Sequence, residues 1–129
     1  MEPQRKNFNY WVLMVFAPVL IVVGIAGFIM PPTPLSSNAP AYNIFHIIFG
    51  VVGLAFVLMK NDQLIRAFNI GFGLIDLYQA AASFLHWFPE SYFRWLTGDD
   101  ILHIVIGAAL VLVGICARPS QQQADSNSA

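Results

Sequence analysis

The chain has 129 residues, 57% hydrophobic and 10% charged, with a formal net charge of −1 and a mean hydropathy of +0.65. Soluble domains carry about a quarter charged residues and disordered chains more, so this balance excludes both, and it offers no basic surface for nucleic-acid phosphates. An all-α integral membrane protein is expected, with the lipid bilayer as its first partner.

A short tail, residues 1–9, carries Arg5 and Lys6 ahead of an apolar run from Tyr10 to Met30. That run is 21 residues long, beyond the roughly 7 to 15 of a secretory h-region, so it is expected to stay as a first span despite the small residues Ala39-Pro40-Ala41. Pro31, Pro32, Pro34 and Pro40, with Ser36, Ser37 and Asn38, cannot continue a helix and make a loop. A second span runs from Tyr42 to Met59. The polar turn Lys60-Asn61-Asp62-Gln63 separates it from a third, Leu64 to Trp87, which Pro89 ends. Phe88 to Leu96 is expected to lie on the outer surface. Gly98-Asp99-Asp100 opens a fourth span, Ile101 to Ala117, with Asp100 as a candidate cap. The polar tail 118–129 is expected to be disordered. A 10–117 transmembrane domain of four helices leaves no room for a separate soluble domain.

Arg5, Lys6, Lys60, Arg66 and Arg118 lie on one side of these spans and Arg94 alone on the other, which places both termini in the cytoplasm by the positive-inside rule. Tyr10 and Trp11 would then mark the inner interface, and Trp87, Tyr92 and Trp95 the outer one. Cys116, at the cytoplasmic end of the last span, is alone, so no intramolecular disulfide can form.

The second and fourth spans share a pattern. Asn43, His46, Gly50 and Gly53 lie on one helical face, and Asp100, His103 and Gly107, with Gly114 further on, repeat it 57 residues later. Both helices run in the same direction, which suggests a duplicated helical hairpin. The polar members can cap exposed helix N–H groups, and the glycines let neighbouring helices approach closely. Gly24 and Gly27 in the first span and Gly71 and Gly73 in the third fit the same packing role. Such glycine-lined faces also permit self-association or a membrane-protein partner.

All three histidines fall near the outer ends of spans: His46 about 6 Å and His103 about 3 Å inside their helix starts, and His86 near the end of the third span. Three histidines at one level could bind a transition metal, and two could hold a haem between facing helices. No H-x-x-x-H, C-x-x-C-H or Cys-His signature accompanies them, so no cofactor is predicted. Along the third span, Asn69, Gly73, Asp76, Gln79, Ser83 and His86 form one polar stripe that must face protein or water. Asp76 is near the middle of its span. A charge there costs roughly 2.5 to 3.5 kcal/mol, which favours a protonated acid bonded to an Asn, a Gln or Tyr78. The stripe also fits a proton or ion path toward His86. Ser83 and His86 share a face, but no nucleophile elbow, oxyanion site or phosphate-cradling loop is present, so no enzyme is expected.

The motifs N-x-x-H-x-x-x-G at Asn43 to Gly50, D-x-L-H-x-x-x-G at Asp100 to Gly107 with Leu102, and G-I-A-G-F at Gly24 to Phe28 resemble a family of small bacterial four-helix membrane proteins catalogued as a domain of unknown function. The resemblance covers roughly Tyr10 to Ala117. Its matching positions are Gly24, Gly27, Asn43, His46, Gly50, Asp100, His103 and Gly107. It implies four spans in the plasma (inner) membrane and assigns no activity. Asp76 and His86 lie outside its motifs.

The expectation is therefore a structural or partner-binding membrane bundle. A redox, metal or haem protein using the histidines, and an ion path along the third helix, are the alternatives.

Overall fold

The structure is a computed structural model that describes residues 8–117. Arg5, Lys6, Arg118 and the expected tails up to residue 7 and from residue 118 lie outside the described residues. The described chain is all-helical apart from an isolated bridge between Thr33 and Ser36. It forms α1 (Phe8–Ile29), α2 (Pro40–Met59), α3 (Asp62–Leu85), the short α4 (Glu90–Phe93) and α5 (Thr97–Cys116).

Three of these helices, α1, α2 and α5, are long and apolar enough to cross a membrane. The third long helix, expected as an equal span, is not among them. It carries Asp62, Arg66, Asn69, Asp76 and Gln79, and ten of its residues are buried in the molecule. An apolar outer face on α1, α2 and α5 and a polar, enclosed α3 are the pattern of a helix shielded by its neighbours.

The helices associate as two tight hairpins, α1 with α2 and α3 with α5. Glycine decides both seams. A Cβ on Gly50 would sit 2.8 Å from the Ala17 carbonyl oxygen, and one on Gly24 2.6 Å from the Asn43 carbonyl oxygen. Gly73 and Gly107 face each other across the second seam, each 2.7 Å from the other's carbonyl oxygen when a Cβ is added. Gly27 abuts the Asn43 side chain, Gly53 lies against Leu13 and Ala17, and Gly114 packs on Ile70. Gly71 differs from the expectation: nothing lies within 4 Å of its added Cβ, so it takes no part in packing.

Phenylalanine joins the hairpins. Phe72 of α3 stacks on Phe68 at 5.4 Å and meets Phe16 of α1 at 5.5 Å and Phe49 of α2 at 5.3 Å. Such ring pairs each add about 0.5–1.5 kcal/mol beyond the area they bury.

Polar contacts pin the two ends. At one end, Asn69 Nδ2 donates to Asn9 Oδ1 (3.0 Å), Asn9 Nδ2 donates to the Ala117 carbonyl (2.6 Å), and Arg66 Nε donates to the Gly114 carbonyl (2.6 Å). The last two of these bonds serve carbonyls at the C-terminal end of α5, which have no partner within the helix. Asn61 caps α3 by accepting from the Leu64 N–H, as its polar turn implies. At the other end the loop after α1 is closed by the Thr33–Ser36 pair, and Ser37 Oγ donates to the Phe93 carbonyl.

Two aromatic assignments change. Tyr10 and Trp95 are buried in the interior, whereas Trp11, Trp87 and Tyr92 are exposed.

Candidate functional site

The end of the molecule that holds the starts of α2 and α5 and the end of α3 collects most of its buried polar side chains. Asn43, His46, Asp76, Gln79, Ser83, Asp99, Asp100 and His103 are all buried there. The expected stripe on α3 is thus turned inward as far as Ser83.

Capping, expected for Asn43 and Asp100, is not their role. α2 starts at Pro40 after Ala39, so Asn43 is already inside the helix, and its Nδ2 donates to the Asn38 carbonyl at 3.3 Å. α5 starts at Thr97 after Leu96, and Asp100 instead accepts from Ser83 Oγ at 2.7 Å, tying α5 to α3. Proline at the first helical position explains the earlier start of α2, since its missing N–H needs no partner there.

The central contact of the site was not anticipated. Tyr42 Oη donates to Asp99 Oδ1 at 3.1 Å, joining the two hairpins. His103 Nε2 lies 3.6 Å from the same oxygen. The Tyr42 ring packs on His46 at 4.1 Å and lies 6.3 Å from His103. His46 Nδ1 sits 2.7 Å from the Tyr42 carbonyl, and with that nitrogen donating, Nε2 keeps its lone pair. The signal for this contact was present: Tyr42 and Asp99 each stand four residues before a histidine and are themselves 57 residues apart. Equivalent positions of the two hairpins therefore bond to one another.

His86 does not join the other two histidines. α3 stops at Leu85, and His86 adopts a left-handed conformation (φ 57°) as its C-cap. That turn takes its side chain out of the stripe to solvent, 3.9 Å from Glu90. Among the described residues, no group of three His, Cys, Asp or Glu side chains converges as metal ligands would.

Asp76 also departs from expectation. It is 2% exposed but makes no hydrogen bond among the described residues, and Tyr78 donates instead to the Phe88 carbonyl at 2.7 Å. Asp76 lies within electrostatic range of Asp99 and Tyr42. Five further buried atoms of this end are without partners: Asn43 Oδ1, Gln79 Oε1, Asp100 Oδ1, His103 Nδ1 and Trp95 Nε1. Leaving a buried polar atom unpaired costs about 1–3 kcal/mol each, so this is the most strained polar region described.

No protein-family model, no curated protein and no solved structure matches the chain.

Proposed function

We propose that the chain is a multi-pass protein of the plasma membrane with four spans and both termini cytoplasmic, acting as a structural or partner-binding bundle and not as an enzyme. The observation that carries this is the distribution of polarity: three membrane-capable helices turn apolar faces outward, while the polar side chains of α3 are enclosed among them. At 1.5 Å per residue the 24 residues of α3 reach about 36 Å, and it packs along α5, so it shares its partner's depth as the fourth span. A groove of about 470 Å³ on α1, lined by Phe8, Trp11, Val12, Val15, Phe16 and Val19, suits an acyl chain. Lys60 and Arg66 lie at the end opposite Arg94, in keeping with the proposed orientation.

Matching seams support descent by duplication of a hairpin: Gly27 faces Asn43, 16 residues on, much as Ser83 faces Asp100, 17 residues on. We place the chain with the small four-helix membrane family it resembles.

Labelling tests the topology. Cys116 is exposed and is expected to resist a membrane-impermeant maleimide in intact cells and to react after permeabilisation, whereas a Ser91→Cys, Cys116→Ser variant should react in both. Cys116 labelling in intact cells would reverse the orientation.

Purified protein is expected to be colourless and metal-free, with His46→Ala and His103→Ala less stable and His86→Ala unchanged. A Soret band or stoichiometric metal that disappears in the first two variants would favour the redox alternative. Ion movement is favoured by one observation, the buried Asp76 without a hydrogen bond. A proteoliposome flux unchanged in Asp76→Asn would remove it.

A further inference from the structure

Each hairpin is held together by main chain, but the two hairpins are held to one another by side chains. Gly24 and Gly50 bring the backbones of α1 and α2 into contact, and Gly73 and Gly107 do the same for α3 and α5. Ser83 Oγ donating to Asp100 and Arg66 Nε donating to the Gly114 carbonyl reinforce the second seam. The loop after α1 is fixed to the first hairpin. The Thr33–Ser36 pair closes it, Asn38 Nδ2 donates to the Met30 carbonyl at 2.7 Å, and Asn43 Nδ2 donates to the Asn38 carbonyl. Close-packed backbone does not yield as side chains do, so each hairpin moves as one body.

The boundary between the hairpins is secured unequally at its two ends. At one end Asn69 Nδ2 donates to the Asn9 carbonyl (3.2 Å) and to Asn9 Oδ1 (3.0 Å), and Asn9 Nδ2 donates to the Ala117 carbonyl (2.6 Å). Among the described residues, Asn69 Oδ1 is the one buried side-chain atom left open there. In the middle, Phe72 packs on Phe16 and Phe49. At the histidine end the clasps are longer: Tyr42 Oη donates to Asp99 at 3.1 Å, and Ser37 Oγ to the Phe93 carbonyl at 3.3 Å. His103 Nε2, 3.6 Å from Asp99, is beyond hydrogen-bond distance. The loop rests on the start of α5, where a Cβ on Gly98 would be 3.0 Å from the Pro34 carbonyl oxygen. Beneath it Trp95, in a small core with Ala39, Tyr42 and Ala82, leaves Nε1 unpaired, and His103 leaves Nδ1 unpaired. Indole N–H only donates, whereas Nδ1 accepts when Nε2 carries the proton toward Asp99. A buried donor and a buried acceptor along one boundary both find a partner in water, which donates and accepts.

We propose that the hairpins part at the histidine end and stay joined at the Asn9 end, swinging about Phe72 and lifting the loop of residues 31–39 off α5. Water then enters between Tyr42 and Asp99 and pairs with Trp95 Nε1 and His103 Nδ1. Opening gives up two long hydrogen bonds and the packing of Trp95, and it returns partners to both open atoms, so little free energy separates the two arrangements. The phenylalanine layer at Phe72, one turn beyond Asp76, stops the water there. The motion is the same whichever way the chain lies in the bilayer.

Two measurements on the full-length protein in detergent micelles test this. Trp11 and Trp87 are exposed and Trp95 is buried, so a Trp11→Phe, Trp87→Phe variant reports on Trp95 alone. Its fluorescence is expected to be quenched by acrylamide, and adding Tyr42→Phe, which removes one clasp, should raise the quenching constant about fivefold. The second measurement is the distance between spin labels in a Cys116→Ser background, at exposed positions on α2 and α5. Ile44→Cys with Ile101→Cys, at the histidine end, should give two distances, the longer one gaining population with Tyr42→Phe. Leu58→Cys with Ile115→Cys, at the other end, should give one distance that Tyr42→Phe leaves unchanged. Trp95 fluorescence untouched by acrylamide with and without Tyr42 would overturn the proposal. So would a single distance at the histidine end in both backgrounds, or a second distance at the Leu58 and Ile115 end alone.

Discussion

Replacing Gly107 by leucine is expected to abolish the folded state. The added Cβ would lie 2.7 Å from the Gly73 carbonyl oxygen and 3.0 Å from the Asp76 Cβ, and a backbone oxygen cannot rotate away as a flexible side chain can. The α3–α5 seam would have to open along its length. Overpacking in a well-packed interior costs about 1–3 kcal/mol even when side chains yield, and here backbone must move. Lipid tails are as apolar as the helix surfaces, so little hydrophobic gain exists to restore the association once close packing is lost. Gly71→Ala is the matched control. Its Cβ meets nothing within 4 Å, and alanine is the better helix former by about 0.8–1 kcal/mol, so this variant should be neutral or stabilised. Unfolding by a denaturing detergent, followed by circular dichroism, compares the two. Equal midpoints for Gly107→Leu and the unsubstituted protein would mean that the helices do not meet at Gly73 and Gly107.

Tyr42→Phe should produce the second-largest effect, by separating the hairpins at the histidine end. It removes the 3.1 Å hydrogen bond to Asp99 and leaves that buried oxygen with only His103 at 3.6 Å. Buried bonds to charged groups contribute about 1.5–3 kcal/mol in water-soluble proteins, whereas interhelical bonds within membranes average about 0.6 kcal/mol because the separated helices find other partners. A loss near 1 kcal/mol is therefore expected. Asp99→Asn alone should cost a similar amount, and the double variant should cost clearly less than the sum, giving a coupling energy above about 0.5 kcal/mol. Additive losses would show that Tyr42 and Asp99 act apart. His86→Ala, at an exposed C-cap, should leave the midpoint unchanged in the same assay.

The Asn43-His46-Gly50 and Asp100-His103-Gly107 repeats were legible because helical periodicity maps spacing directly onto a face. The same mapping failed at His86. Periodicity assumes that the helix continues, and the left-handed turn at His86 breaks it one residue after Leu85. Capping was misassigned for a related reason. Polar residues near a helix start resemble caps, but Pro40 and Leu96 move the true starts outward and leave Asn43 and Asp100 free to bond sideways. Gly71 and Gly73 are indistinguishable as letters. Only the geometry shows that one lies in a seam and the other in open space.

Composition and pattern alone determined an all-helical chain with membrane-capable apolar helices, the turn at Asn61 and the inward polar stripe of α3 from Asn69 to Ser83. These follow from local rules: apolar length, helix period and the residues that end a helix. Tertiary structure decided which helices pair, that Tyr42 meets its own counterpart Asp99, and that Gln79 Oε1 and His103 Nδ1 are buried without partners. Those relations depend on how far one helix slides along another. That register is set where Gly24, Gly50, Gly73 and Gly107 let backbones touch, between residues too distant in the chain for any local period to connect.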